Sequence, residues 1–331
     1  MTSIAPVTGA PFARILGVGS YRPQRVVTNE EICQRIDSTD EWIRQRSGIV
    51  ERRFAAADET VADMAVAAGK GAIAAAGLSG ADIDCVIIAT VTHLMATPSA
   101  AAEVAHRLGT ERAPAFDISA ACAGFCYGIA MAQDMVRGGS ATRVLVVGVE
   151  KLTDIIDATD RSTAFLFADG AGAAVIGPSD EPAIGPVVWG SDGSHLSAIT
   201  MSGSYDELRE GGEYPTVVME GQTVFKWAVY EMARVAQQAL DVAGVTADQL
   251  DAFIPHQANL RIVDAMVRAL KLPEGIPVAR DIVESGNTSA ASIPLAMDRM
   301  LQAGQIRSGG LALIIGFGAG LAYAAQVVRL P

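Results

Sequence analysis

The chain carries one arrangement twice. Residues 60 to 93, TVADMAVAAGKGAIAAAGLSGADIDCVIIATVTH, read as an alanine-rich helix, a turn at Gly77, a polar link and a buried strand from Asp84 to Ala89. Residues 229 to 259, VYEMARVAQQALDVAGVTADQLDAFIPHQAN, repeat that order, and at a constant offset of 167 Ala72 meets Ala239, Gly77 meets Gly244 and Asp84 meets Asp251. The match resumes later: QDMVRGGSATRVLVVG, ending at Gly148, parallels DRMLQAGQIRSGGLALIIG, ending at Gly316, at an offset of 168. Extending it back along the helices at 165 sets Cys122 against Asn287, so the two are expected to open equivalent helices.

Helices alternating with Val/Ile/Leu-rich strands imply an α/β protein built of two mixed, mainly parallel sheets with helices on their faces. If a pseudo-two-fold relates the halves, the helices between the sheets must be small-residue helices. Those after Cys122 and Asn287 (NTSAASIPLAMD) are of that kind. The halves are placed at 1–180 and 181–331. Ahead of the first copy, Ile15 to Ser20 reads as a strand, Asn29 to Ile36 as a capped helix, and Ser38-Thr39-Asp40 as the start of another.

Composition narrows the class. Half of the 331 residues are hydrophobic and the mean hydropathy is +0.30. No apolar run reaches the roughly 18 to 20 residues of a membrane span, so the excess is expected in packed interior or a subunit interface, favouring a homodimer. Met1 to Pro11 lacks the basic start and apolar run of a signal peptide, and a cytoplasmic location is expected. The net charge of −12 argues against nucleic acid and anionic membranes as partners. The four cysteines have no CxxC or His-rich spacing, so neither a metal nor a disulfide framework is expected.

Three segments carry candidate chemistry: Cys122 in DISAACAGFCYG, His256 in PHQAN and Asn287 in SGNTSAAS. A cysteine where a strand gives way to a helix faces unsatisfied N–H groups and the positive dipole end, which favour thiolate. Alone, Cys122 is equally a small buried hydrophobe, His256 a satisfied structural residue and Asn287 a turn residue. Together they suit two chemistries. One is hydrolysis with His256 as base for Cys122. The other is thioester exchange with decarboxylation, in which His256 and Asn287 donate to a thioester carbonyl.

Seven long motifs bear on that choice: GSYRP at 19–23, STDEWIRQRSGI at 38–49, AACAGF at 120–125, DGAGAAV at 169–175, PHQANLRI at 255–262, GNTSAAS at 286–292 and the terminal GFGAGLAYAA. In these the chain resembles the beta-ketoacyl-acyl carrier protein synthase III family over nearly its whole length. The resemblance implies the thiolase-like fold, with duplicated halves in α-β-α-β-α layers. It also implies decarboxylative Claisen condensation of an acyl-CoA primer with malonyl-acyl carrier protein, initiating fatty acid synthesis. The hydrolase gives no role to the repeat or to the PHQAN and NTSAAS contexts. A polyketide starter synthase or acyltransferase of the same fold stays as the alternative. A thiolase would need a second catalytic Cys after Cys126, and a hydroxymethylglutaryl-CoA synthase a Glu ahead of Cys122. Gly316, Gly318 and Gly320 precede no helix, which excludes NAD binding.

Residue by residue, the resemblance implies that Cys122 takes the acyl group while His256 and Asn287 hold the malonyl thioester carbonyl. The oxyanion would be met by backbone N–H groups of Cys122 and of Gly318-Ala319-Gly320, where Ala319 replaces the usual glycine. CoA would meet Trp42 and Arg161 on its adenine, Arg46 nearby and Asn259 beside the pantetheine, as a substrate and not a bound cofactor. An acidic carrier protein is expected to dock on Arg261, Arg268 and Lys271 of helix 260–271, joined by Lys226. Thr97 stands where relatives often have a Phe reaching the partner's acyl pocket, so a roomier pocket than an acetyl-only one is expected. His93, His106 and His195 are assigned no role.

Overall fold

The computed structural model describes residues 4 to 331; of Met1 to Pro11, residues 1–3 lie outside the described residues. The first half runs β1 (Phe12–Tyr21), β2 (Arg25–Thr28), α1 (Asn29–Ile32), α2 (Asp40–Ser47), β3 (Glu51–Phe54), α3 (Val61–Ala75), β4 (Cys85–Ala89), α4 (Ala100–Leu108), β5 (Ala115–Ile118), α5 (Gly124–Gly138), β6 (Val144–Lys151) and β7 (Asp169–Ser179). The second comprises β8 (Val188–Ser191), β9 (Ile199–Met201), α6 (Tyr205–Arg209), β10 (Val217–Met219), α7 (Gly221–Ala243), β11 (Ala252–Pro255), α8 (Leu260–Ala269), α9 (Ile282–Ser285), α10 (Ser292–Gln302), β12 (Leu311–Gly318) and β13 (Ala322–Arg329). Side chains set the starts: Thr39 caps α2 through Trp42 N–H, and Thr60 forms a reciprocal capping box with Asp63 on α3. The helix expected over Asn29 to Ile36 is only α1, because the chain turns after Ile32 with Ile36 buried.

The repeat is physical. One sheet has the order β1-β7-β6-β4-β5 and the other β8-β13-β12-β11, extended by a parallel bridge from Phe253 to Val278 where β5 would lie. Gly77 and Gly244 both take positive φ, 68° and 66°, at the turn after the repeated helix. Ser79 with Asp82 and Thr246 with Gln249 form matching capping boxes one offset apart. The Asp84 and Asp251 carboxylates each accept a backbone N–H from the entry to the neighbouring strand, Arg143 and Leu311.

Two expectations are corrected. The sheets are mixed but not mainly parallel: β4 lies parallel to β5 and β6, and β11 to β12, whereas β1–β7, β6–β7, β12–β13 and β13–β8 are antiparallel. In the second half the tight turn between β12 and β13 sends the chain straight back. Nor do Cys122 and Asn287 open equivalent helices. The single 3-10 turn Ala121–Ala123 before α5 corresponds to Ser289–Ala291 before α10, and each begins at a non-glycine residue with positive φ, Ala121 at 44° and Ser289 at 49°. Cys122 therefore matches Ala290, and Asn287 lies three residues earlier. Helix α10 has 11 residues against 15 in α5, just over one turn fewer, and the loop before β12 restores the register, so an offset counted through the helix is wrong at its start.

The layers are α-β-α-β-α. Helices α5 and α10 lie between the sheets, with Phe125, Ile129, Ile293 and Met297 packed on Ile87, Val146, Ile254 and Ile314. Helices α3 and α4 cover the outer face of the first sheet, and α7 and α8 that of the second. Close approach explains the small residues: a Cβ on Gly148 would fall 2.3 Å from the Ala290 carbonyl oxygen. Across the halves, Asp281, 2% exposed in its side chain, accepts from Arg22 and from Arg299 at 3.0 Å each, and Arg22 also donates to the Leu295 carbonyl.

Candidate active site

Strand ends of both halves meet at one cavity. Cys122 sits in the 3-10 turn between β5 and α5, His256 follows β11, Asn287 follows α9, and all three line a cavity of about 360 Å³. His256 is pinned by its N–H to Ile315 O (2.7 Å), and Asn287 by its N–H to Leu166 O and its carbonyl to Ala168 N–H, both 2.9 Å.

Hydrogen bonds orient the two polar groups. Ser292 Oγ accepts from Gln257 N–H and lies 2.7 Å from His256 Nδ1. With the serine hydroxyl as the donor to Nδ1, the ring proton lies on Nε2. Burial drives the His256 pKa down to about 3, so the ring is neutral and can donate. Phe317 packs edge-on against it, centroids 5.3 Å apart. Asn287 Oδ1 accepts from Ser289 N–H (2.9 Å), leaving Nδ2 without a partner among the described residues. The pair thus offers two N–H donors and no charge, as a carbonyl becoming an enolate requires.

The thiol does not follow the expectation from the helix terminus alone. Burial pushes Cys122 up to about 12; the nearby Glu150 carboxylate raises it too, while a hydrogen bond with Ser289 and its own N–H lower it. It rests as a thiol. A Cβ on Gly318 would stand 2.8 Å from Cys122 Cβ and 2.9 Å from its sulfur, so only glycine lets β12 pass beside the thiol. Ala319 lines the same cavity, immediately after β12.

A second cavity of about 720 Å³ opens above, sharing Leu166, Met219, Phe225 and Asn259 with the first. It collects Trp42, Arg46, Arg161, Lys226 and Arg261. Trp42 stands edge-on to Phe165 at 5.2 Å, with the Arg161 guanidinium 4.8 Å and that of Arg46 5.6 Å from its ring centre. Asn259 caps α8 through Arg261 N–H and donates to the Arg46 carbonyl (2.9 Å), which ties α8 to α2 at the junction of the cavities.

Helix α8 buries Ile262, Val263 and Met266 and exposes Arg261 and Arg268. The Arg261 guanidinium lies over Phe225 at 4.9 Å. Lys271 is corrected: α8 ends at Ala269, and Lys271, at φ 51°, is on the turn beyond. Thr97 is exposed and lines neither cavity of its own chain. Residue-level reasoning missed Ser289, Ser292, Phe317 and Glu150. Both serines were in view within GNTSAAS, and Glu150 stands with Lys151 at the charged end of the otherwise apolar run VLVVGVEK.

Comparison with known proteins places this architecture. Residues 116–193 match the family model described as 3-oxoacyl-[acyl-carrier-protein (ACP)] synthase III, and residues 240–330 its C-terminal counterpart. A beta-ketoacyl-[acyl-carrier-protein] synthase III of Streptomyces glaucescens is 60% identical, all of each chain being covered. A mycobacterial one of Mycolicibacterium paratuberculosis is 54% identical, over 100% of this chain and 99% of that one. Among solved structures, the priming beta-ketosynthase of the R1128 polyketide biosynthetic pathway superposes with a TM-score of 0.97 at 51% identity, over 99% of both chains. The 3-oxoacyl-[acyl-carrier-protein] synthase III of Aquifex aeolicus gives 0.89 at 38% identity, over 96% of this chain and 99% of that one.

Proposed function

The chain belongs to the beta-ketoacyl-acyl carrier protein synthase III family of condensing acyltransferases, with the thiolase-like fold, and on that premise we propose how its own residues carry the reaction. Cys122 attacks the carbonyl of an acyl-CoA and becomes an acyl thioester. Malonyl-acyl carrier protein then enters, and His256 Nε2–H and Asn287 Nδ2–H hold its thioester carbonyl. They stabilise the enolate formed as CO2 leaves, and that carbanion attacks the acyl-Cys122 carbonyl. Backbone N–H groups of Cys122 and Ala319 meet the oxyanion. The observation that carries this reading is the pair of neutral donors beside a thiol at one cavity floor. A hydrolase would need His256 as a base, whereas burial keeps its pKa near 3.

The acyl-CoA enters by the upper cavity. Its adenine stacks at Trp42 and Arg161, Arg46 takes phosphate or base contacts, and the pantetheine passes Asn259 toward Cys122. Lys226, Arg261 and Arg268 form the basic rim for an acidic carrier, with Lys271 on the adjoining turn. A second copy covers the loop around Thr97, where Val91, Leu94 and Met95 stand exposed. Residues 1–180 and 181–331 serve as the halves bearing the nucleophile and the donor pair, and the enzyme works in the cytoplasm. No helix among the described residues is long and apolar enough to cross a membrane.

Intact-mass spectrometry tests the sequence of steps. Acyl-CoA alone should leave a stable acyl adduct on Cys122, discharged only by malonyl-carrier protein with release of CO2; discharge by water alone would overturn the reading. In the same assay, primers of two to twelve carbons, straight and branched, should load beyond acetyl, and strict acetyl selectivity would refute the roomier pocket. Reversing Arg261 and Arg268 to Glu should raise the apparent KM for the carrier substrate about tenfold with less effect on acyl-CoA loading, because rim charges act on encounter.

A further inference from the structure

Beneath the thiol lies a carboxylate that no step above uses. Glu150, at the end of β6, is fully buried and has no ion-pair partner among the described residues; Lys151, next to it, turns away to the Ala57 carbonyl and Asp154. Its two oxygens are treated differently. Oε2 accepts from Thr92 Oγ1 (2.7 Å), Thr90 Oγ1 (3.2 Å) and Val91 N–H (3.1 Å). Oε1 meets only Ser289 Oγ, at 3.2 Å. Ser289 lines the same cavity beside Cys122, and its hydroxyl lowers the thiol's pKa, as a donor to the sulfur would. A hydroxyl has a single proton. While it donates to Glu150, the thiol must donate to it; if Glu150 holds a proton on Oε1, the chain reverses and the hydroxyl donates to sulfur. Thiol with carboxylate and thiolate with carboxylic acid are therefore two states of one three-membered chain.

We propose that Glu150 is a positioning residue for the nucleophile, taking the Cys122 proton through Ser289 as the sulfur attacks and returning it when the sulfur leaves. The balance closes. In acylation the C–S bond to Cys122 forms, the thiol proton passes to Ser289 as the serine proton passes to Glu150, and the CoA thiolate departs to take a proton from solvent. In condensation the carbanion forms the new C–C bond, Cys122 leaves as thiolate, and the proton returns from Glu150 through Ser289. One solvent proton is consumed, on CoA, for each CO2 released.

Burial raises the Glu150 pKa to about 7, against the hydrogen bonds that lower it. The groups facing it are Thr90 and Thr92 in the loop just after β4, Gly170 opposite on β7, and Ser289 and Cys122; of these only Cys122 titrates. Below that pH the carboxyl is already protonated and cannot accept, so reactivity falls on acidification; above it the pair has lost its first proton and the relay is open.

The proposal rests on the reading of Cys122 as the acylated residue, but its test has a readout of its own. Alkylation of Cys122 by iodoacetamide, followed by peptide mass spectrometry from pH 5 to 9, should accelerate through about pH 7 in the native protein. Glu150→Gln and Ser289→Ala should slow it at pH 8 by about 10²-fold and remove that inflection. Glu150→Asp should restore part of both. Acyl-CoA loading should slow in parallel at an unchanged half-saturating concentration. A native-like pH profile in Ser289→Ala overturns the relay, as does an inflection that survives Glu150→Gln. Should Glu150→Gln not fold, Ser289→Ala decides. Failure of acyl-CoA to load the native protein would overturn the functional reading alone, with the alkylation profile still deciding the relay.

Discussion

Replacing Cys122 by alanine abolishes condensation, by at least about 10⁴-fold, while slow release of CO2 from malonyl-carrier protein continues. The two activities separate because they use different atoms. The thiol is needed to carry the acyl group, whereas decarboxylation needs only the donors His256 Nε2–H and Asn287 Nδ2–H. His256→Ala shows the opposite split: decarboxylation falls about 10²- to 10³-fold, the usual cost of one oxyanion donor, and acylation of Cys122 persists. Radiolabelled CO2 release and intact-mass loading, measured on both variants, check the pair of outcomes. If His256→Ala blocked loading as completely as condensation, His256 would be a base and the Ser292 hydrogen bond would have been assigned the wrong direction.

Replacing Asp281 by alanine destabilises the protein by about 3–5 kcal/mol, because it strands charge at the seam between the halves. Its buried carboxylate is shared by Arg22, just after β1, and Arg299 on α10; Arg22 loses its carboxylate partner and keeps the Leu295 carbonyl, while Arg299 keeps Glu284. Asp281→Asn, which keeps the size, loses less. Urea midpoints at a matched m-value read the difference directly. A shift below 1 kcal/mol would mean that solvent replaces the carboxylate, as at exposed pairs.

Much of the fold was legible because a repeat is a local signal seen twice. The helix, the Gly77 and Gly244 turns, the polar link and the buried strand each follow from periodicity and turn residues, and each recurs in the structure, where capping boxes hold the link. The offset failed where no local residue marks length: α5 and α10 both end in turns but differ by just over one turn, and only superposed 3-10 turns show which residues correspond. The parallel or antiparallel sense of each strand was equally hidden, since buried runs of Val and Ile read alike in both.

The site divides along the same line. Chain order alone singled out Cys122, His256 and Asn287 as residue types able to do thioester chemistry, while Trp42, Arg161 and Asn259 rested on resemblance to a family. By itself the sequence determined the duplication, the layered α/β class and the three reactive types, because these depend on composition and spacing. Tertiary structure decided what state those groups occupy: a neutral His256 held by Ser292, a thiol raised by burial, a glycine at 318 that no other residue can replace, and a buried Glu150 within one hydroxyl of the nucleophile. Protonation and donor direction are set by desolvation and by partners that folding brings together, 36 residues apart for His256 and Ser292 and 139 for Glu150 and Ser289, and spacing along a sequence does not encode them.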